Sequence, residues 1–243
     1  MVRAMLEGLS IALVIPALDE EQSIGAVVTA VDRGIVDDLV VVDNGSRDST
    51  AKRAREAGAR VVREPRRGYG SACLAGLAAV RGADVVAFMD GDGGDDPADL
   101  PALLEPIAAG RADLVIGSRT LGRAEPGSLT AAQRLGNALA CALMRRFWGA
   151  RYTDLGPFRA LTARAVERID PRDPGFGFTI EVQVEAARLG LMTAEVPVNC
   201  RNRRGGRSKI SGDIMGSIRA GRRILGYIIE ARARELPARR GAR

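Results

Sequence analysis

Apolar residues in the first half of the chain come in short continuous runs, each closed by a polar turn. Ile11–Ile15, Leu39–Val42, Val85–Met89 and Leu114–Gly117 are unbroken rather than alternating, the pattern of parallel strands covered on both faces. Arg60–Arg63 reads as a shorter strand between the second and third of these. Pro16 is expected to close the first run. Helical spacing fills the intervals. Asp19, Glu20 and Glu21 open a pattern with Ile24, Val27, Val28 and Val31, and acids in a first turn would complement the helix dipole. Asp48-Ser49-Thr50 caps a helix running to Ala57-Gly58, Gly68–Ser71 leads into another through Val80, and Asp99–Ala108 forms a fourth. This strict alternation predicts a parallel, doubly wound α/β sheet over residues 10–120. Ligands of such sheets sit beyond the carboxyl ends of the strands. Here those ends are Pro16–Glu20, Asp43–Ser46, Asp90–Asp95 and Ser118-Arg119.

The second half is less regular. Thr130–Phe147 has Leu135, Leu139 and Leu143 at helical spacing, and Phe178–Leu189 reads as a further helix. Ala194–Val198 fits an edge strand, where Pro197 is tolerated. A basic, glycine-containing loop at 201–207 precedes a helix over Ser211–Ala233 with Ile214, Ile218, Leu225, Ile228 and Ile229 on one side. That stripe reads as core ahead of membrane contact. The chain is read as one domain over 1–236: a nucleotide-binding half (10–120), an acceptor half (121–210) and a C-terminal helix (211–236), with a disordered tail at 237–243.

Charge adds an asymmetry. The 243 residues carry a formal net charge of +6, but residues 201–243 hold 13 Lys/Arg against 3 Asp/Glu, so the rest of the chain is net acidic. The basic end points toward an anionic ligand or surface. RNA or DNA binding is the non-enzymatic alternative, and the acidic remainder and 4% aromatics argue against it. No histidine occurs, which excludes Ser-His-Asp and Cys-His catalysis and a His base. Cys73, Cys141 and Cys200 show no metal or redox spacing and read as buried thiols of a reducing compartment. No apolar leader and no 18-residue apolar span is visible.

The densest chemistry follows Val85–Met89, where Asp90-Gly-Asp92-Gly-Gly-Asp95-Asp96-Pro97 presents four carboxylates within seven residues. Two carboxylates about 4 Å apart repel by roughly 4 kcal/mol at an effective dielectric near 20. Such a cluster invites a cation, and Mg²⁺ or Mn²⁺ takes carboxylates together with nucleotide phosphates. A solvated Asp/Gly turn is the plain alternative. Gly68-x-Gly70 is weak as a dinucleotide fingerprint, because it lacks the third glycine and the ribose-binding acid.

Together these segments resemble family 2 inverting glycosyltransferases of the GT-A fold, a Rossmann-like, mostly parallel sheet flanked by helices. They are most similar to the polyprenyl-phosphate sugar synthases of the dolichol-phosphate mannose synthase type. The residues that carry the likeness are 14–21, 41–50, Gly68-Tyr69-Gly70, Met89–Asp92, Ile116–Arg119, Phe158-Arg159 and Gly206–Lys209, in the family's order. The resemblance implies that Pro16, Ala17, Glu20, Asp43, Gly70 and Asp90 bind the nucleotide. It implies a metal-binding D-x-D in Asp90 and Asp92, with Asp92 the foremost direct ligand. Arg119 would face donor or acceptor phosphates, and Arg207 and Lys209 would sit in a loop closing on the acceptor phosphate. Two positions depart from the family. Its Leu-Gln-His-Pro after the D-x-D is Gly93–Pro97 here, so Asp95 or a water would replace the glutamine at the metal. Its Ser-Gly-Phe-Arg appears as Gly156-Pro157-Phe158-Arg159.

The implied reaction passes a hexose from UDP- or GDP-hexose to a polyprenyl phosphate, with Mg²⁺ or Mn²⁺ stabilising the leaving diphosphate. A phosphate acceptor needs cations to position it and no base, which suits the missing histidine and the basic loop. A hydroxyl acceptor, on a small molecule or glycan, needs a base within about 3 Å, and Asp154 or Glu181 would supply it. The expected place is the cytoplasm, free or against the inner face of the membrane.

Overall fold

A computed structural model of the protein describes residues 6, 8–203 and 214–235, with backbone alone at 214–220. Arg207, Lys209 and the tail 237–243 lie outside the described residues. Seven strands form one sheet: β1 (Ile11–Ala17), β2 (Asp38–Asp43), β3 (Arg60–Arg63), β4 (Val85–Phe88), β5 (Leu114–Ala124), β6 (Arg159–Thr162) and β7 (Thr193–Cys200). Their order is β3-β2-β1-β4-β6-β5-β7. β1 pairs in parallel with β2 and β4, β2 with β3, and β5 with β7. β6 is the exception. It lies antiparallel between β4 and β5, setting Arg159 beside both Phe88 and Ile116.

Helices α1 (Ile24–Ala30), α2 (Thr50–Glu56), α3 (Tyr69–Ala79), α4 (Leu100–Ala108), α5 (Ala131–Trp148), α6 (Ala163–Ile169), α7 (Phe178–Arg188) and α8 (Ile214–Glu235) cover the sheet. The unbroken apolar runs follow from this double cover. Along β1, Ala12 and Val14 face a core with residues of α3, α5, α7 and α8, whereas Ile11, Leu13 and Ile15 face one with α1 and α4. Phe88 and Phe178 meet edge to face in the first core, with centroids 5.5 Å apart.

Several expectations need correction. β1 continues through Pro16 to Ala17, because β4 pairs only as far as Val14 and no ladder bond from Pro16 is needed there. The acids before α1 stand outside the helix and complement no dipole. They hold the following loop instead: Asp19 Oδ1 accepts Arg47 N–H at 2.7 Å and Glu21 Oε2 accepts Ser49 N–H at 3.1 Å. β5 runs on to Ala124 past a register shift, pairing with β7 a second time. Gly122 permits this, since a Cβ there would lie 2.0 Å from the Val198 carbonyl oxygen. β6 and α6 had no periodic signal long enough to be read.

α5 begins at the expected threonine. Thr130 and Gln133 form a reciprocal capping box, and Gly149 ends the helix in the left-handed region at φ 71°. Its buried residues are Ala140, Cys141 and Met144, whereas Leu135 is 73% exposed and Leu139 45%. In α8, Tyr227, Ile228 and Ala231 enter the core and Ile229 faces solvent. β7 is an edge strand as expected, with Pro197 opposite Ser118. All three cysteines are buried thiols.

Candidate active site

The carboxyl ends of β1, β2, β4 and β5 lie side by side, and β6 brings the 154–158 segment to the same edge from the opposite direction. Each end is shaped by its own polar residues. After β1, Glu20 is buried, its N–H donates to Thr50 Oγ1 at 2.7 Å, and Ser23 Oγ donates to the Gly91 carbonyl at 2.9 Å. That bond ties the β1 loop to the acidic turn. After β2, Asp43 Oδ1 accepts the Ser46 N–H at 2.9 Å, forming the turn. Asn44 donates to the carbonyls of Glu64 and Arg66 and accepts the Gly68 N–H, stitching β2 to the start of α3. Gly70 has a packing reason. A Cβ there would lie 1.9 Å from the Asp173 carbonyl oxygen, because α3 starts against the 173–175 backbone.

The acidic turn follows β4. Asp92 Oδ1 accepts the Gly94 N–H at 2.7 Å, and Asp95 Oδ2 accepts the Asp90 N–H at 3.1 Å. Desolvation by the surrounding protein, then the neighbouring Asp92 and Asp95 charges, hold the Asp90 carboxyl well above the usual carboxylate range. Burial, then Asp92, pushes Asp95 up to about 7. Negative charge is therefore in excess at this turn.

Arg203 answers part of it. Its Nη2 lies 2.8 Å from Asp92 Oδ2 and its Nη1 3.6 Å from Glu20 Oε1, so one guanidinium spans the ends of β1 and β4. Among the described residues, no three carboxylate or thiol side chains already converge on a point that would hold a metal ion. The set Asp90, Asp92 and Asp95 is thus not a ready-made cage, because repulsion and separate backbone partners spread its members. The donor chemistry nevertheless fits a hard divalent cation, which needs one or two carboxylates and completes its shell with phosphate oxygens and water. Asp92 with Asp90 or Asp95 would hold it, and Arg203 occupies the place of a cation.

At the end of β5, Arg119 and Asp154 form a fork. Arg119 Nε and Nη2 donate to the two Asp154 oxygens at 2.8 and 2.9 Å, and the Arg119 N–H donates to Asp154 Oδ2 at 2.8 Å. Burial opposes the charge on Arg119, and Asp154 more than offsets it, holding the guanidinium above its ordinary value. Asp154 is 1% exposed and its oxygens also receive the Leu155 N–H, so it orients Arg119 and is not poised as a base. Glu181, the other expected base, is also committed: its Oε2 accepts the N–H groups of Arg172 and Asp173 at 3.0 and 2.7 Å. Burial raises its pKa.

Two arginines here have partners that the sequence did not show, although Arg159 belongs to the Phe158-Arg159 segment that carries the resemblance. Arg159 is buried, donates to the carbonyls of Gly156 and Thr179 and to Gln183 Oε1, and has its charge disfavoured by burial. It locks the 156 loop to α7. Arg203 was legible only as one of several loop cations; nothing in its spacing shows that it reaches Asp92 and Glu20.

A mostly parallel sheet with one reversed strand, ending in an acidic D-x-D turn beside Glu20, Asp43 and Arg119, is the architecture of a GT-A glycosyltransferase. The chain belongs to glycosyl transferase family 2, whose profile matches residues 12–169. It is 37% identical over 215 residues to an uncharacterized glycosyltransferase of Mycobacterium tuberculosis, covering 88% of this chain and 95% of that one. It is 34% identical over 191 residues to the undecaprenyl-phosphate mannosyltransferase of Micrococcus luteus, covering 74% and 78%. Among solved structures, glucosyl-3-phosphoglycerate synthase from Mycobacterium tuberculosis, in complex with Mn²⁺, UDP-glucose and phosphoglyceric acid, aligns with a TM-score of 0.79 and 28% identity. That alignment covers 96% of this chain and 83% of the synthase. The same enzyme has also been solved with Mg²⁺ and UDP.

Proposed function

We propose that this glycosyltransferase moves a hexose from a nucleoside diphosphate sugar to the hydroxyl of a small, water-soluble acceptor that carries an acid group. The observation that carries this reading is the acid-rich edge shared by β1, β2, β4 and β5. It is supported by the likeness, over nearly the whole chain, to a synthase whose bound molecules are UDP-glucose, Mn²⁺ and phosphoglyceric acid. Pro16, Ala17, Glu20 and Asp43 take the nucleoside, with Gly70 and Asp90 at the edge of its site. Asp92, with Asp90 or Asp95, holds the divalent ion, which when bound neutralises charge growing on the departing diphosphate. Arg119, fixed by Asp154, presents a preorganised cation to a phosphate or carboxylate at the same edge. Asp154 is spent on Arg119 and Glu181 Oε2 on the Arg172 and Asp173 N–H groups, so neither is assigned here as the base that deprotonates the acceptor.

A polyprenyl phosphate, the acceptor that the resemblance implies, is the second reading. The Micrococcus relative's name favours it, as do the exposed Leu121, Leu135 and Leu139, which would suit work at the inner face of the membrane. No helix among the described residues is long and apolar enough to cross a membrane. Reactions with UDP- and GDP-hexoses, each offered 3-phosphoglycerate or undecaprenyl phosphate, separate the two readings. Product in the aqueous phase supports the first and product in butanol the second. NMR of the anomeric proton tests the inverting outcome that the resemblance implies.

A further inference from the structure

Arg203 is unusual among the described arginines near the site because it bridges two of the carboxylates that the proposed function assigns to donor and metal. The chain aims it there with several fixed points. β7 ends at Cys200, which bridges to Asp95, and the Arg201 N–H donates to the Gly94 carbonyl at 2.7 Å. The Arg201 guanidinium pairs with Asp96. On the other side, the Asn202 N–H donates to Glu125 Oε2 at 2.7 Å and its Nδ2 to the Pro126 carbonyl at 3.2 Å. Residues 200–202 are thus stitched to the acidic turn and to the turn after β5. Arg203 is the first residue beyond these stitches, and its side chain, about one-third exposed, reaches back across the opening to Asp92 and Glu20.

We propose that Arg203 is a built-in counter-cation that competes with a divalent ion for Asp92 and must leave that carboxylate before the ion can bind it. The inference rests on the assignment of Asp92 to the metal. A guanidinium 2.8 Å from an Asp92 oxygen and a divalent ion on the same carboxylate are two cations held at contact distance, and they repel each other. The second oxygen of Asp92 is engaged by the Gly94 N–H, so neither oxygen is idle. Metal binding and the Arg203 contact are therefore antagonistic. By reciprocity, each weakens the other by the same factor. The arginine also keeps the acids of the turn from standing unneutralised between catalytic cycles, so its removal should unsettle the metal-free protein while helping the metal.

The test is Mn²⁺ binding to full-length protein without nucleotide, read from the free-ion electron paramagnetic resonance signal, together with thermal unfolding with and without Mn²⁺. Arg203→Gln is expected to bind Mn²⁺ at least ~5-fold more tightly, since even a partly screened contact of this length exceeds that effect. Its metal-free melting temperature should fall, and its rise on adding Mn²⁺ should exceed that of wild type. Arg203→Lys, which keeps the charge but cannot span both carboxylates, should lie between the two and serves if the glutamine variant folds poorly. Arg222→Gln removes the same charge from an exposed site on α8 and should stay within about twofold of wild type. Equal or weaker Mn²⁺ binding by both Arg203 variants, with wild type binding the ion, overturns the counter-cation and leaves the metal assignment standing. If wild type binds neither Mn²⁺ nor UDP, the proposed function falls and the inference falls with it.

Discussion

Asp92 and Asp154 are both aspartates at strand ends, yet their surroundings set them to different work. Asp92 meets the partly exposed guanidinium of Arg203, whereas Asp154 is sealed under Arg119 by three N–H contacts from that one residue. Asp92→Asn should therefore lower turnover by at least ~100-fold while leaving the circular dichroism spectrum and melting behaviour close to wild type. Asp154→Asn should instead show in stability. Removing one partner of a buried pair strands the other, at a cost of about 3 kcal/mol measurable in urea unfolding, and turnover falls with it as Arg119 loses its orientation. Asp43→Ala should weaken UDP binding in calorimetry and leave the fold intact, because its one described side-chain bond closes a short local turn to Ser46. The acids were legible in the sequence because they cluster at predicted strand ends. Their partners were not. The Arg119–Asp154 fork and the Arg203 bridge join residues from distant parts of the chain, and no local spacing encodes such a meeting.

At the scale of elements, periodicity located most strands and helices but not always the face they bury. α5 shows why. Leu135, Leu139 and Leu143 make the obvious apolar stripe, yet only Leu143 of the three packs against the core, and the fully buried face is Ala140, Cys141 and Met144. Leu135→Ala should change stability by less than about 0.5 kcal/mol, and Met144→Ala should cost about 2–5 kcal/mol; chemical denaturation of the pair checks the assignment of the faces. β6 escaped reading for a different reason. Four residues cannot establish a period, and the strand exists because β4 and β5 present complementary edges on either side of it. Gly70 and Gly122 likewise look like loop glycines, but each is demanded by a backbone carbonyl within about 2 Å of where its Cβ would be.

Across the whole molecule, α8 packs on α5 and α7 and adds Tyr227, Ile228 and Ala231 to the core they share. A chain ending at residue 213 should therefore lose its cooperative melting transition, which calorimetry would show, rather than merely losing a surface contact. Chelation acts at the same scale. EDTA should abolish transfer, and Mg²⁺ or Mn²⁺ should restore it; full activity in EDTA would remove the metal from the mechanism. The fold class was legible from strand order alone, because alternating apolar runs and helices leave few arrangements; the acceptor was not, because it depends on segments with no period. The reversed strand β6 has a consequence for how such enzymes diverge. It starts at the carboxyl edge and runs away from it, so the chain arrives there through the preceding loop, whose buried Tyr152, Asp154 and Phe158 alternate with less buried Arg151, Thr153, Leu155 and Pro157. Exchanging Arg151, Thr153, Leu155 and Pro157 for those of a relative, with Tyr152, Asp154 and Phe158 kept, should move acceptor preference while the constant for UDP stays as it was, and diversification of this lineage is then expected to concentrate at those alternating positions.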